Sequence, residues 1–271
     1  MAETGIKLKK HGDAWEGMVR LAPETQEPEV VVTIPACACD RDISLDELLD
    51  GFSNLGSESL FSASSHGLAG TEMGEFLGHL NVSMKSYGIA SCIDKAHFLA
   101  QVAIESDRLR TTEEYRNRDG SHPSGWDNYS GGAEYHGRGL IQLTHDHNYR
   151  KYSEHAGIDC VSNPEIVAAD LSVAVDSSCW YWRHGSAWGD LSPRAKSNDF
   201  VWATMGVNGG FNHYSERLTM LQELARAFDV AQCLKYGSLD FSTYKFSASA
   251  LNRTRNGPVI WRKYFGERDE A

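Results

Sequence analysis

The strongest hydrophobic pattern in the chain lies between residues 91 and 110. Apolar side chains recur there at spacings of three and four, which predicts one buried face of an amphipathic helix. The residues of this stripe are Ala96, Leu99, Val102 and Ala103. Ser91 or Asp94 can cap the start of the helix. Because the β-branched pair Thr111-Thr112 disfavours continuation, we predict that the helix ends near Arg110.

The same periodicity predicts a body of further helices around this one. They are expected over residues 44–54, 71–87, 148–156, 163–182, 199–205 and 213–230. Residues 140–144 have a short β-like pattern, and the β-branched run over 30–34 predicts one strand. The long segment 117–134 has the composition of a loop.

Two carboxylates lie at notable positions in this pattern. Glu105 follows Val102 by three residues and so lies at the edge of the apolar stripe. Partial burial there favours the neutral carboxyl that a general acid needs. Glu114 follows nine residues later, and nine residues rotate a helix by about 900°, half a turn net. The two can share a cleft only if the helix ends between them; alternatively, both are ordinary surface acids.

Polar and aromatic side chains downstream are candidates for binding a sugar. Trp126 lies in the loop 117–134, where its ring either stacks on a sugar or folds back onto the domain. Gly137 and Gly139 flank Arg138, which indicates a close backbone approach around one positioned guanidinium. The other candidates are Tyr135, Gln142, Thr144 and Asn208.

Composition narrows the classes of protein. The net charge of −11 argues against binding to nucleic acid. The sequence has no apolar run near 18 residues, so we expect no membrane insertion. The first ten residues lack the apolar region of a classical signal peptide. We expect a monomer.

The six cysteines include no Cys-x-x-Cys pair and no four with a zinc-like spacing. We therefore predict no metal and no cofactor, and leave the disulfide state open. The pair Cys37 and Cys39 is interpreted as incidental, with a redox or metal pair as the alternative. Cys92, Cys160 and Cys179 are interpreted as small buried core residues.

The N-terminal part of the chain differs from the rest. Residues 1–65 combine a basic run, an acidic proline-containing stretch and a segment rich in Ser and Gly. We interpret them as an N-terminal extension, a linker or the remnant of an upstream domain. Residues 66–271 are predicted to form one catalytic domain.

Two sequence blocks resemble glycoside hydrolase family 19. One runs from Lys95 to Ser106 and contains Gln101-x-x-x-Glu105-Ser106; the other is Tyr135-x-Gly-Arg-Gly-x-Ile-Gln-Leu-Thr144. Asn148-Tyr149 and Asn208-Gly-Gly210 extend the similarity. Over residues 71–230 the chain resembles phage endolysins and bacterial type VI secretion lysozyme effectors more than plant chitinases.

The resemblance implies a mainly α, lysozyme-like α+β fold with a helical body and a small β-lobe beside the cleft. It implies that Glu105 is the general acid and Glu114, at the nine-residue spacing of endolysins, the base. Peptidoglycan would be the substrate, cleaved at β-1,4 bonds with inversion. Arg138 would hold one of these two carboxylates. The chain departs from the family at Ile104, where histidine is usual, and at Arg116, where threonine is frequent.

Three alternatives remain from the sequence. A chitinase would use the same carboxylates, and a catalytically inactive module would bind glycan without cleaving it. A metal-dependent amidase has only the close pair His145-x-His147 to support it. For a peptidoglycan hydrolase without a signal peptide, we expect holin-assisted release or injection by a secretion machine into the periplasm or cell wall. An injected toxin implies a carrier and an immunity protein.

Overall fold

The computed structural model describes residues 6–11, 14–19, 30–33, 37–53 and 60–271. Three of these ranges form an antiparallel sheet of β1 (Ile6–His11), β2 (Ala14–Val19) and β3 (Val30–Thr33), in that order. In its register, Ile6 pairs with Val19, and Val19 pairs with Val30. The strand predicted over residues 30–34 is present as β3.

Ten α-helices follow in the described part of the chain. They are α1 (Leu45–Gly51), α2 (Met73–Ser86), α3 (Cys92–Glu105), α4 (Asp146–Ala156), α5 (Ile166–Ala169), α6 (Leu171–Trp180), α7 (Ser192–Lys196), α8 (Phe200–Asn208), α9 (Tyr214–Ala227) and α10 (Gly257–Phe265). The mainly α fold is thereby confirmed. Among the described helices, none is both long and apolar enough to cross a bilayer.

The β-lobe expected beside the cleft is much reduced. Beyond β1–β3, pairing within the described residues consists of isolated backbone bridges. Two of them meet at Arg138, which pairs with Glu113 on one side and Leu143 on the other. The segment 140–144 is therefore a tight turn and not a strand, because Gly139 and Gln142 both adopt positive φ, at 73° and 59°.

Helix α3 lies in the centre of the helical body and packs against α7, α8 and α9. Its first twelve residues are all buried, so it has no solvated face. The single apolar stripe expected from the sequence is only part of its contact surface. Polar residues on the other faces have buried partners: Asp94 accepts hydrogen bonds from Trp182 Nε1 at 3.0 Å and Ser192 Oγ at 2.7 Å.

Residues 37–53 and 60–65 share the core of the helical body. Leu48, Phe52 and Phe61 are buried in the same cluster as the apolar residues of α2, α3 and α9. Helix α1 packs against α2 and α9. The sequence analysis places these residues in an extension that ends at residue 65, whereas the structure places them within the helical body because their apolar side chains complete its core.

The C-terminal residues also contain more structure than their pattern indicates. Helix α10 contains Trp261, whose side chain is buried and stacks on Phe246 at a ring separation of 4.8 Å. Tyr264 packs edge-on against Phe211 at 5.6 Å. These contacts hold the C-terminal residues on the helical body.

Candidate active site

The chain reverses direction immediately after Glu105. Helix α3 ends at Glu105, five residues before the predicted end near Arg110, because the Ser106 hydroxyl takes over local hydrogen bonding. Ser106 Oγ donates to the carbonyl of Val102 at 2.8 Å and accepts from the amide of Leu109 at 3.0 Å. Residues 107–109 then adopt positive φ of 46°, 59° and 61°. Such left-handed backbone costs roughly 1–2 kcal/mol per residue, so the surrounding packing holds this turn in place.

The returning segment brings Glu114 to the same cleft as Glu105. The amide of Glu114 donates to the carbonyl of Gly137 at 2.9 Å, which fixes the segment against the turn 137–143. The cleft has a volume of about 610 Å³. Its lining residues are Ile104, Glu105, Asp107, Arg108, Thr111, Glu113, Glu114, Tyr115, Gln142, His213 and Glu216. Two carboxylates that a continuous helix would place on opposite sides therefore face one open space.

Glu105 is held by Arg217, a residue that the sequence analysis missed. Arg217 Nη2 lies 2.5 Å from Glu105 Oε1, and its Nη1 donates to Gln101 Oε1 at 2.8 Å. The Arg217 side chain is 1% exposed and that of Glu105 is 16% exposed. One feature of the sequence could have identified Arg217. It shares a helical face with Leu221 and Leu224, which is an unusual position for a charged residue. This charge-assisted bond fixes the Glu105 carboxyl in one orientation.

Glu114 is held differently, by two donors of no formal charge. Its Oε1 accepts a hydrogen bond from the Tyr129 hydroxyl at 2.8 Å, and its Oε2 accepts one from the amide of Gly137 at 2.9 Å. Burial, together with the neighbouring Glu114 carboxylate, raises the pKa of Tyr129 to about 12. The phenol consequently remains a hydrogen-bond donor to Glu114 near neutral pH.

The neighbouring Glu113 is a buried structural carboxylate. His136 Nε2 lies 2.7 Å from Oε1, while Ser65 Oγ and His66 Nε2 lie 2.8 and 3.0 Å from Oε2. Burial alone would raise the pKa of Glu113, but the hydrogen bonds from His136 and Ser65 and the nearby histidines outweigh it and hold the pKa at about 2. Both ring nitrogens of His136 face oxygen atoms, Nε2 the Glu113 carboxylate and Nδ1 the carbonyl of Ala133.

Trp126 packs against the protein and does not form an open sugar platform. Its side chain is 3% exposed. The indole stacks on the His136 ring with centroids 3.7 Å apart and an interplanar angle of 7°. Arg116, the departure from the family pattern, lies over the indole at 5.4 Å. Of the two alternatives for this ring, the structure shows the one in which it folds back onto the domain.

Arg138 and Tyr135 also lie away from the positions expected for sugar contacts. Arg138 is 3% exposed, and its Nε lies 3.6 Å from Glu113 Oε1 rather than beside Glu105 or Glu114. Its Nη1 donates to the carbonyl of Glu134 at 2.8 Å. The Tyr135 hydroxyl donates to the carbonyl of Val161 at 3.2 Å. Both side chains thus support the loop behind the cleft instead of projecting into it.

Comparison with known proteins finds similarity to one family of glycoside hydrolases. Residues 100–190 match the family model for glycoside hydrolase family 19, described as "Chitinase class I". "Endochitinase 1" of Solanum tuberosum is 32% identical over 84 residues, which cover 30% of this chain and 25% of that protein. The "Glycosyl hydrolase family 19 domain-containing protein" of Haemophilus influenzae is 34% identical over 110 residues, covering 41% of this chain and 49% of its own length.

Solved structures extend the similarity to most of the chain. The crystal structure of chitinase C from Streptomyces griseus HUT6037 aligns with a TM-score of 0.52 and 19% identity, covering 84% of this chain and 95% of that one. Residues 100–190 are therefore similar to the chitinase-like domain of glycoside hydrolase family 19, and the chain shares the fold of chitinase C. It spans between a quarter and half the length of the curated relatives named above.

The remaining candidates from the sequence occupy two parts of the fold. Gln142 lines the cleft, and its Nε2 donates to the carbonyl of Gly139 at 3.0 Å. A Cβ on Gly137 would lie 2.7 Å from Gln142 Oε1 and 3.2 Å from Gln142 Cβ, so the glycine gives this side chain room. Thr144 donates to the carbonyl of Gln142 at 2.7 Å, and Asn208 accepts from the amide of Asn212 at 3.1 Å. Neither Thr144 nor Asn208 is among the residues that line the cleft.

The Glu113 network predicts a dependence of stability on pH. The pKa of this carboxyl falls from 4.5 to about 2 on folding. At pH values above the pKa of the unfolded state, it therefore stabilises the folded state by about 3 kcal/mol. This contribution is complete above pH 4.5 and is lost as the pH falls through 2. We expect the free energy of unfolding, measured with denaturant at a series of pH values, to decline across this interval. In a Glu113→Gln variant the decline should be smaller; an identical decline would remove the assignment to Glu113.

Proposed function

We propose that this chain hydrolyses β-1,4 bonds between N-acetylated sugars. The observation that supports this most strongly is the presence of Glu105 and Glu114 on the wall of one cleft, carried there by the helix end and the left-handed turn. Two carboxylates flanking a glycosidic bond are the usual machinery of a glycoside hydrolase. The family 19 match and its chitinase relatives support the same reaction class.

In the proposed mechanism Glu105 is the acid and Glu114 the base. Glu105 protonates the glycosidic oxygen as the bond to the anomeric carbon breaks. Glu114 removes a proton from a water that attacks the opposite face of that carbon, which inverts its configuration. Such a mechanism needs carboxyl groups roughly 6.5–9.5 Å apart, with room for the water. Solvent exchange then returns a proton to Glu105 and removes one from Glu114.

Hydrogen bonds from the protein hold both carboxylates of the proposed pair. Glu114 accepts one from the Tyr129 hydroxyl and one from the Gly137 amide. The Tyr129 hydroxyl and the Gly137 amide also leave its orientation fixed while water is activated. Glu105 is oriented by the buried Arg217, whose other Nη is held by Gln101. Gln142 is the candidate on the cleft wall for a hydrogen bond to a sugar hydroxyl or acetamido group.

For the substrate we propose the glycan strand of peptidoglycan. The support is the resemblance to endolysins in the Lys95–Ser106 and Tyr135–Thr144 blocks and the nine-residue spacing of the two acids. Chitin is the second candidate, because curated relatives are named as endochitinases. Both polymers present N-acetylated sugars in β-1,4 linkage, so the same two carboxylates serve either one.

Digestion of both polymers tests this proposal. With purified peptidoglycan we expect new reducing ends and no new free amino groups, and mass spectrometry of the released muropeptides should identify the cleaved sugar bond. Chitin oligomers should be cleaved more slowly under the same conditions. Glu105→Gln protein is the control for contaminating hydrolases. Preferred cleavage of chitin would reassign the substrate; binding to both polymers without cleavage would leave an inactive glycan-binding module.

The place of action follows from the substrate. A peptidoglycan hydrolase works in the bacterial periplasm or cell wall, so we propose that the chain reaches that compartment as a phage lysin or as an antibacterial effector. An effector would have an immunity protein as a partner in the producing cell. The muropeptide assay is the first test of this proposed location, because the location depends on peptidoglycan being the substrate.

A further inference from the structure

Four of the six cysteines converge at the end of α3 that lies opposite Glu105. The sulfur atoms of Cys37, Cys39, Cys92 and Cys233 all lie within 4.8 Å of one another. They come from three segments that are distant in the sequence: Cys39 is 53 residues from Cys92 and 194 residues from Cys233. The sequence analysis found no zinc-like spacing because folding, and not local spacing, brings these residues together.

The separations of the sulfurs suit a tetrahedral metal ion. Zinc binds thiolate sulfur at about 2.3 Å, which places the corners of a regular tetrahedron roughly 3.8 Å apart. Cys39 Sγ lies 3.0 Å from Cys92 Sγ and 3.7 Å from Cys233 Sγ. Small adjustments of side-chain torsions therefore suffice to enclose an ion. Three of the four cysteines are buried and Cys39 is partly buried, as in a closed structural site.

Groups of positive polarity lie around the four sulfurs. Cys92 is the first residue of α3, where the helix dipole stabilises negative charge. Its backbone amide donates to Cys39 Sγ at 3.0 Å, the kind of outer hydrogen bond that supports metal ligands. The buried Lys95 Nζ donates to the carbonyl of Ala38 at 2.7 Å and so adds a positive charge beside the loop that carries two of the sulfurs.

We propose that Cys37, Cys39, Cys92 and Cys233 together bind one structural zinc ion. Four thiols would release four protons to solvent as four Zn–S bonds form, with no change in oxidation state. All four positions around the metal are filled by protein sulfur, so the ion has a structural role and takes no part in hydrolysis. This assignment stands independently of the proposed reaction.

The placement of the sulfurs explains what the ion would stabilise. Cys37 and Cys39 precede α1, Cys92 begins α3, and Cys233 follows α9. Helix α3 ends in Glu105 about 20 Å away, and α9 carries Arg217. The metal would therefore fasten the far ends of the two helices whose side chains form the Glu105–Arg217 pair.

Elemental analysis of the full chain, purified without chelator or added metal, tests the proposal. We expect about one zinc per chain, and X-ray absorption with four sulfur neighbours at about 2.3 Å. Cobalt exchanged into the protein should give the sulfur-to-metal charge-transfer and tetrahedral d–d bands of a thiolate site. These measurements use the parent chain, so they do not depend on whether a variant folds.

Cysteine variants locate the ion. Cys39→Ser and Cys92→Ser should lose zinc and lower the thermal unfolding midpoint, whereas Cys160→Ser, a buried cysteine outside the cluster, should keep its zinc. A strong chelator should lower the midpoint of the parent and leave Cys39→Ser unchanged. Metal-free parent protein with two disulfides among these four cysteines, seen as a mass deficit of four hydrogens, would overturn the proposal. Metal-free protein with four free thiols there, or zinc retained in Cys39→Ser, would overturn it equally.

Discussion

Replacing Glu105 with glutamine is expected to lower the rate of glycan hydrolysis by about 10²–10⁴-fold, the usual contribution of a general acid. Glutamine has nearly the same shape, and its amide oxygen can still accept the hydrogen bond from Arg217. It cannot donate a proton to the leaving oxygen. Reducing-end release from peptidoglycan at saturating substrate measures the loss, and thermal unfolding should show that the variant remains folded.

A substrate with an activated leaving group separates proton donation from other roles of Glu105. An aryl glycoside whose phenol is a good leaving group needs little protonation, so Glu105→Gln should retain much more of the parental rate on it than on the natural polymer. An equal loss on both substrates would indicate that Glu105 acts through position or charge. A parental rate on the polymer would end its assignment as the acid.

The positions of the main helices were available from the sequence because their apolar periodicity is strong. The helix predicted over 71–87 appears as Met73–Ser86, and the one over 213–230 as Tyr214–Ala227. The end of α3 was misplaced because Ser106, a residue with no strong local preference, ends it through a hydrogen bond to a turn of left-handed residues. Such a turn depends on tertiary packing, which periodicity does not report.

The candidate site could be predicted only in part from the sequence, for a related reason. Glu105 and Glu114 stood out by their spacing and by the family resemblance, and both line the cleft. Arg217 lies 112 residues from Glu105 and reaches it only through the packing of α9 on α3. Loop composition likewise could not decide whether Trp126 faced a sugar or His136. Contacts across the fold decided each of these cases.

The adjacent residues Glu113 and Glu114 show most clearly what the structure adds. In the sequence they form one acidic pair. In the fold, Glu113 is 5% exposed and surrounded by His136, Ser65, His66 and Arg138, whereas Glu114 is only partly buried. The same substitution should therefore mainly lower activity at Glu114 and mainly lower stability at Glu113.

Glu114→Gln is expected to reduce hydrolysis by about 10²–10⁴-fold, since an amide cannot accept the proton of the attacking water. Its stability should stay close to the parental value, because the glutamine oxygen can accept from the Gly137 amide and its nitrogen can donate to the Tyr129 hydroxyl. Glu113→Gln should instead lower the free energy of unfolding by about 3 kcal/mol, since it leaves the buried Arg138 guanidinium without its counter-charge and Ser65 without a charged acceptor. Denaturant unfolding and polymer hydrolysis, measured on both variants, give the comparison. If Glu114→Gln lost mainly stability and Glu113→Gln mainly activity, the base would have to be reassigned to Glu113.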